Sequence, residues 1–381
     1  MNRCLSFMVL IVLLAVVPAA YAVTEELPSQ GLEQRIDFWK KIYTQYGKDD
    51  IVIHDAFLVN LIYDVANDDD YPEKTVAIQA TLREIRAGLE TPEVFSPEAR
   101  QIADAIVAQG ATLTTSTLDA LITNVHTQRG IKEQFRDGII RSGRHVEEFR
   151  EILKRNGVPE ELALLPMVES SFSNVRSKAG AVGVWQFTRG TGRQYLRITN
   201  KVDERLDPTK AANAAARLLR DNYDALQEWP LAITAYNHGR GGMLRAQAEH
   251  GSELADIIEN YRGPVFGYAS MNFYSEFLAA VEVYNSYSTF FGELVLDLPT
   301  TTTSRTVQVA AATKPAAKAK APAAKTTKTA KASTADQKYK VKRGDTLWEV
   351  AQRFGTSIRS LMELNSLNET AIYSGQILLV K

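Results

Sequence analysis

The 381-residue sequence has almost no cysteine, and the single one is Cys4. Every later part of the chain therefore lacks disulfides and a thiol nucleophile. The five histidines are scattered, so we expect no metal site and no cofactor. The chain also lacks an excess of charge of either sign, because 44 basic residues are balanced by 45 acidic ones. That balance gives no overall attraction to nucleic acid or to a membrane surface.

The first 22 residues have the order of a secretory signal. A positive charge at Arg3 precedes an apolar run over residues 5–17, and Ala20-Tyr21-Ala22 resembles a cleavage site. The run is shorter than the ~20 residues that span a bilayer. We expect residues 1–22 to be removed and the chain to reach the periplasm or cell envelope. An uncut signal anchor is the alternative, so membrane association stays open, while the position of Cys4 before the run argues against a lipid anchor.

Residues 23–125 are predicted to be a helical N-terminal region. Apolar residues recur every three or four positions, first at Leu32, Ile36, Trp39, Tyr43 and Tyr46 and then at Ile78, Leu82, Ile85 and Leu89. Ser96-Pro97 is typical of a helix start. The region contains no catalytic motif, so we interpret it as a packing or positioning unit.

Residues 126–298 predict a second helical block. Gly157 ends one helix, Glu160 and Glu161 open the next with favourable negative charge, and Asp207-Pro208 begins a long one. Residues 299–337 follow and are rich in Ala, Lys, Thr and Pro. They include no acidic or aromatic residue between 300 and 335, which predicts a flexible linker.

The last 44 residues, 338–381, predict a compact strand–helix–helix–strand unit. Tyr339 to Val341 alternates like a short strand, and Thr346 with Glu349 forms a capping box at a helix start. A second helix is expected over residues 357–363. A turn at residues 373–376 leads into the final strand over residues 377–380.

Glu169 is the candidate catalytic residue. It ends an apolar helical turn and has Leu162, Leu165 and Val168 beside it. Partial desolvation and the negative end of a helix both raise the pKa of a carboxyl. A carboxyl that stays protonated near neutral pH is suited to general acid catalysis of glycoside cleavage. On residues alone, a purely structural glutamate remains the alternative.

Two later segments supply candidate sugar contacts. The loop over residues 180–187 joins flexible glycines to Trp185, a flat face for a sugar ring, and to Gln186, which both donates and accepts hydrogen bonds. The second segment contributes Tyr236 and Asn237 before Gly239. The structural alternatives are that Tyr236 packs in the core and that Asn237 caps a helix.

In this order, the segments resemble the SLT catalytic domain of bacterial lytic transglycosylases. The Glu-Ser-x-Phe element falls on residues 169–172, the Gly-x-x-Gln element on 183–186 and the Ala-Tyr-Asn element on 235–237. The resemblance covers roughly residues 125–291. It implies a mainly α, lysozyme-like domain that cleaves peptidoglycan glycan strands.

The resemblance also implies roles for the motif residues. Glu169 would protonate the oxygen between N-acetylmuramic acid and N-acetylglucosamine and then deprotonate the muramic acid 6-hydroxyl, which closes a 1,6-anhydro ring. No second carboxylate is needed, and residues 170–192 contain no Asp or Glu. Ser170 and Gln186 would contact substrate, while Tyr236 and Asn237 would hold Glu169 or the sugar.

One family element departs from its usual form. Glu-Thr-x-x-Tyr is replaced here by Ser-Met-Asn-Phe-Tyr over residues 270–274. The acidic residue is lost and the tyrosine is kept, so Tyr274 is a further candidate for contact with substrate.

The C-terminal unit is similar to a LysM domain, which implies binding to glycans that contain N-acetylglucosamine. The matching residues are Tyr339, Val341, Gly344, Asp345, Thr346, Leu347, Ala351, Asn365, Gly375, Gln376 and Leu378. We therefore expect peptidoglycan strands as the partner of both domains. Two alternatives remain open: a hydrolytic muramidase on the same fold, and a non-catalytic wall-binding protein.

Overall fold

The computed structural model describes residues 27–299, 338–342, 347–354, 356, 358–365, 367, 372 and 376–380. The predicted signal peptide, all but the first residue of the predicted linker, Thr346 of the predicted capping box and residues 373–375 of the predicted turn lie outside the described residues. In the described part the fold is mainly helical, as predicted. None of the helices found there has the length and apolar character needed to cross a membrane.

Helices account for most of residues 27–299. They are α1 (Glu33–Thr44), α2 (Tyr71–Ala87), α3 (Pro97–Ala108), α4 (Thr115–Asn124), α5 (Lys132–Ser142), α6 (Val146–Arg155), α7 (Leu165–Ser170), α8 (Arg189–Tyr195), α9 (Pro208–Leu226), α10 (Trp229–His238), α11 (Arg240–His250), α12 (Leu254–Asn260), α13 (Tyr268–Asn285) and α14 (Tyr287–Phe291). Short 3-10 turns lie at Pro92–Val94, Glu160–Leu164 and Glu204–Leu206.

The predicted helix faces and starts are confirmed in the regular helices. The predicted stripe of α1 is buried through Leu32, Ile36, Trp39 and Tyr43. At the start of α3 the hydroxyl of Ser96 accepts the N–H of Ala99, and at the start of α9 a carboxylate oxygen of Asp207 accepts the N–H of Lys210. Each side chain satisfies a backbone donor that the first helical turn leaves unpaired.

The helical description of residues 23–125 needs one correction, because two strands of a small antiparallel sheet lie within it and a third begins at its end. Strand β1 (Ile51–Asp55) is central and pairs with β2 (Ile62–Ala66) on one side and β3 (Val125–Arg129) on the other. All five residues of β1 are buried. A short buried run has no alternation, so periodicity cannot separate it from a helical segment.

Two hydrophobic cores lie within residues 27–299. The larger one surrounds α13 and includes residues of α1, α5, α6, α7, α9 and α10. The smaller one lies between the sheet and helices α2, α3 and α4 and includes Ile53, Leu82 and Ile106. Helix α1 packs against α13, so an N-terminal element joins the core that surrounds Glu169. The predicted boundary at residues 125 and 126 stays a prediction.

The C-terminal unit has the predicted strand–helix–helix–strand order. It contains β4 (Lys338–Lys340), α15 (Leu347–Phe354), α16 (Ile358–Asn365) and β5 (Ile377–Leu379), and β4 pairs with β5 antiparallel. Val350, Leu361 and Leu378 are among its buried core residues. The side chain of Asn365 donates to the carbonyl of Leu379 and accepts the N–H of Leu379, which ties α16 to β5.

Candidate active site

Glu169 lies at the end of α7, with the fully buried Leu162 and Leu165 among the residues before it. Its side chain is half-buried and has no hydrogen-bond or salt-bridge partner among the described residues. Burial raises the pKa of this carboxyl to about 8, because the protein around it solvates the negative form poorly. The group is therefore protonated at neutral pH and still reaches solvent.

The backbone turns sharply after this carboxyl. Ser171 and Phe172 have φ angles of 48° and 56°, a region that non-glycine residues seldom adopt. Packing and hydrogen bonds hold the turn: Phe172 is buried beside Phe149, and the carbonyl of Ser171 accepts a hydrogen bond from Arg141 at 2.9 Å. Strained backbone of this kind persists where the surroundings fix it, and it is concentrated at functional sites. It ends α7 within two residues of Glu169.

Ser170 joins α7 to the glycine-containing loop. Its hydroxyl donates to the carbonyl of Val184 at 2.7 Å. The side chain is half-buried. This hydrogen bond fixes the loop beside Glu169, so the structure gives Ser170 a positioning contact within the protein.

The loop over residues 180–187 depends on Gly183. This glycine has φ 87°, and a Cβ atom added to it would lie 1.9 Å from the carbonyl oxygen of Arg205. Gln186 follows with φ 47°, and its side-chain nitrogen donates to the carbonyls of Gly183 at 2.6 Å and Val175 at 3.2 Å. The side-chain nitrogen of Gln186 therefore stabilises the conformation of the loop. Its side-chain oxygen has no hydrogen-bond partner in the described part of the chain.

The interpretation of Trp185 as a platform for a sugar ring is wrong. The side chain is fully buried, and its ring centroid lies 5.2 Å from that of Phe149. Only its backbone contributes to the site, since the Trp185 carbonyl accepts a hydrogen bond from Tyr236 at 2.7 Å. Exposure of a loop aromatic depends on how the loop folds back on the core, which the local sequence does not reveal.

Tyr236 and Asn237 lie at the end of α10 and differ in their exposure to solvent. Tyr236 is half-buried, and its pKa lies well above its usual value because of burial and, secondly, the charge of nearby Glu169. Its neutral hydroxyl secures the loop through Trp185. Asn237 is exposed, and its side-chain oxygen accepts the hydroxyl of Ser270 from α13 at 2.9 Å. These contacts bring the α7, loop, α10 and α13 segments together.

Arg205 was not among the residues that the sequence singled out. Its side chain is buried and donates to both carboxylate oxygens of Asp203, at 2.8 and 2.7 Å, and to the carbonyls of Phe187 and Gly180 at 3.0 and 3.3 Å. The guanidinium holds the pKa of Asp203 below its usual value. Arg205 therefore clamps both ends of the loop that carries Gln186.

The structure does not bring Tyr274 to Glu169. Tyr274 is 1% exposed, and its hydroxyl donates to the carbonyl of Pro28 at 2.9 Å. Two residues further along α13, Glu276 is half-buried and was not selected from the sequence. Its pKa is raised to about 8 by burial and, secondly, by the charge of Glu169.

Two segments of the chain match models of known protein families. Residues 148–258 match the Transglycosylase SLT domain and residues 339–381 match the LysM domain. The chain therefore contains an SLT transglycosylase domain followed by a LysM domain, as the sequence motifs predict. Glu169, the loop and the α10 segment all lie within the first match.

Among curated proteins, the chain is homologous to Membrane-bound lytic murein transglycosylase D of Escherichia coli (strain K12). The two are 39% identical over 97 residues, which is 25% of this chain and 22% of the relative. A Putative tributyltin chloride resistance protein of Alteromonas sp. (strain M-1) is 38% identical over 101 residues, 25% of this chain and 47% of that protein. Cell wall-binding protein YocH of Bacillus subtilis (strain 168) is 43% identical over 49 residues, 13% and 17% of the two chains. The matches thus span between about a sixth and a half of these relatives.

Proposed function

We propose that the chain is a peptidoglycan lytic transglycosylase, a carbon–oxygen lyase that cleaves the β-1,4 bond between N-acetylmuramic acid and N-acetylglucosamine. The observation that carries this proposal is the state of Glu169. It is a half-buried carboxyl with a raised pKa of about 8 and no partner among the described residues, held at the end of α7 within an SLT domain. Such a group keeps its proton at neutral pH until a sugar oxygen accepts it.

The proposed reaction returns the proton to the same carboxyl. Glu169 donates its proton to the bridging oxygen as the bond to C1 of the muramic acid breaks. The resulting carboxylate then takes the proton of the muramic acid 6-hydroxyl while that oxygen bonds to C1. The product has a 1,6-anhydro end, no water is consumed, and Glu169 is protonated again. This differs from glycosidases that use a second carboxylate for water or for a covalent intermediate.

The predicted substrate contacts divide into two groups. Exposed Asn237 and the side-chain oxygen of Gln186 are suited to bind sugar hydroxyl or acetamido groups. Ser170 and Tyr236 hold the loop through the carbonyls of Val184 and Trp185, so we assign them to positioning. Contact between Tyr274 and substrate stays a prediction, which its hydrogen bond to Pro28 does not support.

A hydrolytic muramidase is the second candidate, and one observation favours it. Glu276 supplies a second carboxyl near Glu169, as the two-carboxylate mechanism of inverting glycosidases requires. Mass spectrometry of digested glycan strands separates the two reactions. A transglycosylase gives anhydromuramic products one water lighter than the hydrolase products. Products with ordinary reducing ends throughout would replace our proposal with the hydrolase.

We further propose that the LysM domain tethers the enzyme to the wall and that the signal directs it to the periplasm or cell envelope. A tethered second site raises the local concentration of substrate, often to the ~mM range, without changing the chemistry. Deletion of residues 338–381 is therefore expected to weaken binding to insoluble peptidoglycan and to preserve activity on soluble fragments. Sedimentation with purified walls measures the binding. Equal binding by both forms would contradict the tether.

A further inference from the structure

Helix α5 contacts the end of α7 through three of its residues. The side-chain nitrogen of Gln134 donates to the hydroxyl of Ser171 at 3.0 Å, and Nε of Arg141 donates to the Ser171 carbonyl at 2.9 Å. Between them, a Cβ atom at Gly138 would lie 3.0 Å from Cβ of Ser171, so the backbone of α5 lies directly against this residue. Positions 134, 138 and 141 share one face of a helix. Helix α5 therefore presents that face to the buried Ser171.

Ser171 divides its hydrogen bonds between α7 and α5. Its N–H donates to the carbonyl of Met167 at 3.2 Å, and the N–H of Phe172 donates to the carbonyl of Pro166 at 3.1 Å, so both amides bond back to α7. The carbonyl of Ser171 accepts from Arg141, and no other donor to it is found among the described residues. Because Ser171 is buried, loss of that donor would leave its carbonyl unsatisfied, which is costly.

The turn at residues 171–172 needs this support for two reasons. Both of its residues have positive φ angles, and such backbone persists in residues other than glycine only where the surroundings fix it. The helix before it, α7, has only six residues, Leu165–Ser170, so it contains few hydrogen bonds of its own. Glu169 lies in the last turn of this short helix. The direction of its side chain therefore depends on what holds the residues that follow.

Arg141 differs from the arginines near it in sequence. Arg136 pairs with Asp137 and Arg144 pairs with Asp297, each at 2.8 Å, and both arginines are exposed. Arg141 is partly buried, and its hydrogen bond goes to the backbone of the turn. Helix α5 also lies before residues 148–258, which match the SLT domain. The segment that carries Glu169 is thus held by an element outside that match.

We propose that Arg141, assisted by Gln134, is a positioning residue for Glu169: it holds the turn at residues 171–172 and so fixes the direction of the carboxyl at the end of α7. The effect on rate rests on the proposed function, whereas the support of the turn does not. A general acid must lie within hydrogen-bond reach of the atom that it protonates, and a displacement of about 1 Å can cost on the order of 10²-fold in rate. Arg141 itself takes no part in the bond changes.

The first test measures kcat and KM on soluble glycan fragments for Arg141→Met. Removal of the donor is expected to lower kcat by about 10–100-fold and to change KM by less than about threefold, because the carboxyl is displaced while the sugar contacts remain. Arg141→Lys keeps a donor at this position and should recover part of the loss. The control is Arg136→Met on the same helix, which should match the wild type because its ion pair is exposed.

Gln134→Met removes the second donor to Ser171 from an exposed side chain, so the fold should persist. It is expected to lower kcat by about threefold, the smaller effect of a neutral donor, again with little change in KM. Thermal unfolding shows which variants are folded at the assay temperature. Wild-type kcat in folded Arg141→Met, or in Gln134→Met where Arg141→Met does not fold, would show that α5 only stabilises the fold. A loss of kcat in Arg141→Met that Arg141→Lys does not reduce would also overturn the inference.

The second test needs no substrate. Hydrogen exchange at the amides of Ser171 and Phe172 reports on the turn directly, since both N–H groups bond to carbonyls of α7. In Arg141→Met their exchange should be faster by about tenfold, relative to the buried Leu219 of α9 as a control for global unfolding. Unchanged exchange at residues 171–172 would overturn the inference even for an active transglycosylase. Faster exchange in a protein whose wild type has no lytic activity would overturn the proposed function alone.

Discussion

The guanidinium of Arg205 and the carboxyls of Glu169 and Glu276 are ionisable groups with opposite surroundings. Arg205 is enclosed, and its guanidinium is satisfied by Asp203 and by two backbone carbonyls. Glu169 and Glu276 are each half-buried and have no hydrogen-bond or salt-bridge partner among the described residues. The paired guanidinium of Arg205 fixes the loop, and the unpaired carboxyl of Glu169 is available for proton transfer.

The presence or absence of a hydrogen-bonded partner distinguishes structural from reactive ionisable groups in such a site. A buried charge that is fully paired contributes to a unique fold, and removal of one partner is strongly destabilising. A carboxyl whose pKa is shifted by burial without a partner is a candidate for proton transfer. The comparison predicts that substitution of Arg205 mainly lowers the stability of the fold and that substitution of Glu169 mainly lowers activity.

The largest expected effect is on the rate of Glu169→Gln. Glutamine keeps the size of the side chain but cannot donate and recover a proton, so lytic activity should fall by at least the roughly 10²–10⁴-fold that general acid–base action supplies. Turbidity of a peptidoglycan suspension and product yield measure the loss. The fold should persist. Equal clearance by variant and wild type would leave only a wall-binding role, and a collapse of Tm would make Glu169 structural.

Arg205→Met should have the largest effect on stability. It removes the cation from Asp203 and two carbonyls of the loop, which is expected to cost about 3–5 kcal/mol in the free energy of unfolding. The control is Arg86→Met, whose partner Asp119 is exposed and whose loss should cost about 1 kcal/mol or less. Denaturant unfolding measures both. Equal losses in the two variants would refute the distinction drawn here.

Gly183→Ala and Gly180→Ala separate backbone conformation from close approach. Both glycines have positive φ, 87° and 84°, but only Gly183 lies against the carbonyl of Arg205, since no atom lies within 4 Å of a Cβ at Gly180. Gly180→Ala should cost about 1 kcal/mol for its conformation. Gly183→Ala should cost about 1–3 kcal/mol more, because the loop must move. Similar Tm values for the two variants would exclude the steric argument.

The last expected effect is a modest gain in stability for Glu169→Gln. The carboxyl ionises near pH 4.5 when unfolded and near pH 8 when folded, so the native state binds more protons between these values and loses stability as pH rises through them. Glutamine removes this loss. At pH 7 the gain should be on the order of 1–2 kcal/mol, reduced by the partial exposure of the side chain. The two proteins should have the same Tm near pH 4, and a difference that does not depend on pH would contradict the assignment.

Local sequence signals were sufficient for the helices. The stripe of α1, the Ser96 cap and the Asp207 cap depend on residues within a few positions of one another, and each is found as predicted. Strand β1 was missed because its five buried residues carry no alternation and one of its partners, β3, is far along the chain. Pairing over that distance leaves no local pattern.

The candidate site was predicted only in part, for the same physical reason. The apolar surroundings of Glu169 are local, so the raised pKa could be anticipated. The burial of Trp185, the clamp by Arg205 and the proximity of Glu276 to Glu169 depend on contacts between segments distant in sequence. An acidic or aromatic residue in a loop does not reveal what it will face after folding.

The contact between α1 and α13 has a consequence for how the molecule reaches its native state. Arg35 of α1 donates to Asn272 of α13, a residue 237 positions away. Closing so long a loop must precede much of the packing gain, and folds dominated by such distant contacts form slowly. The larger core contains Leu162 and Leu165 before Glu169 together with residues of α13, so a chain cut short before α13 would lack part of the surroundings of this carboxyl.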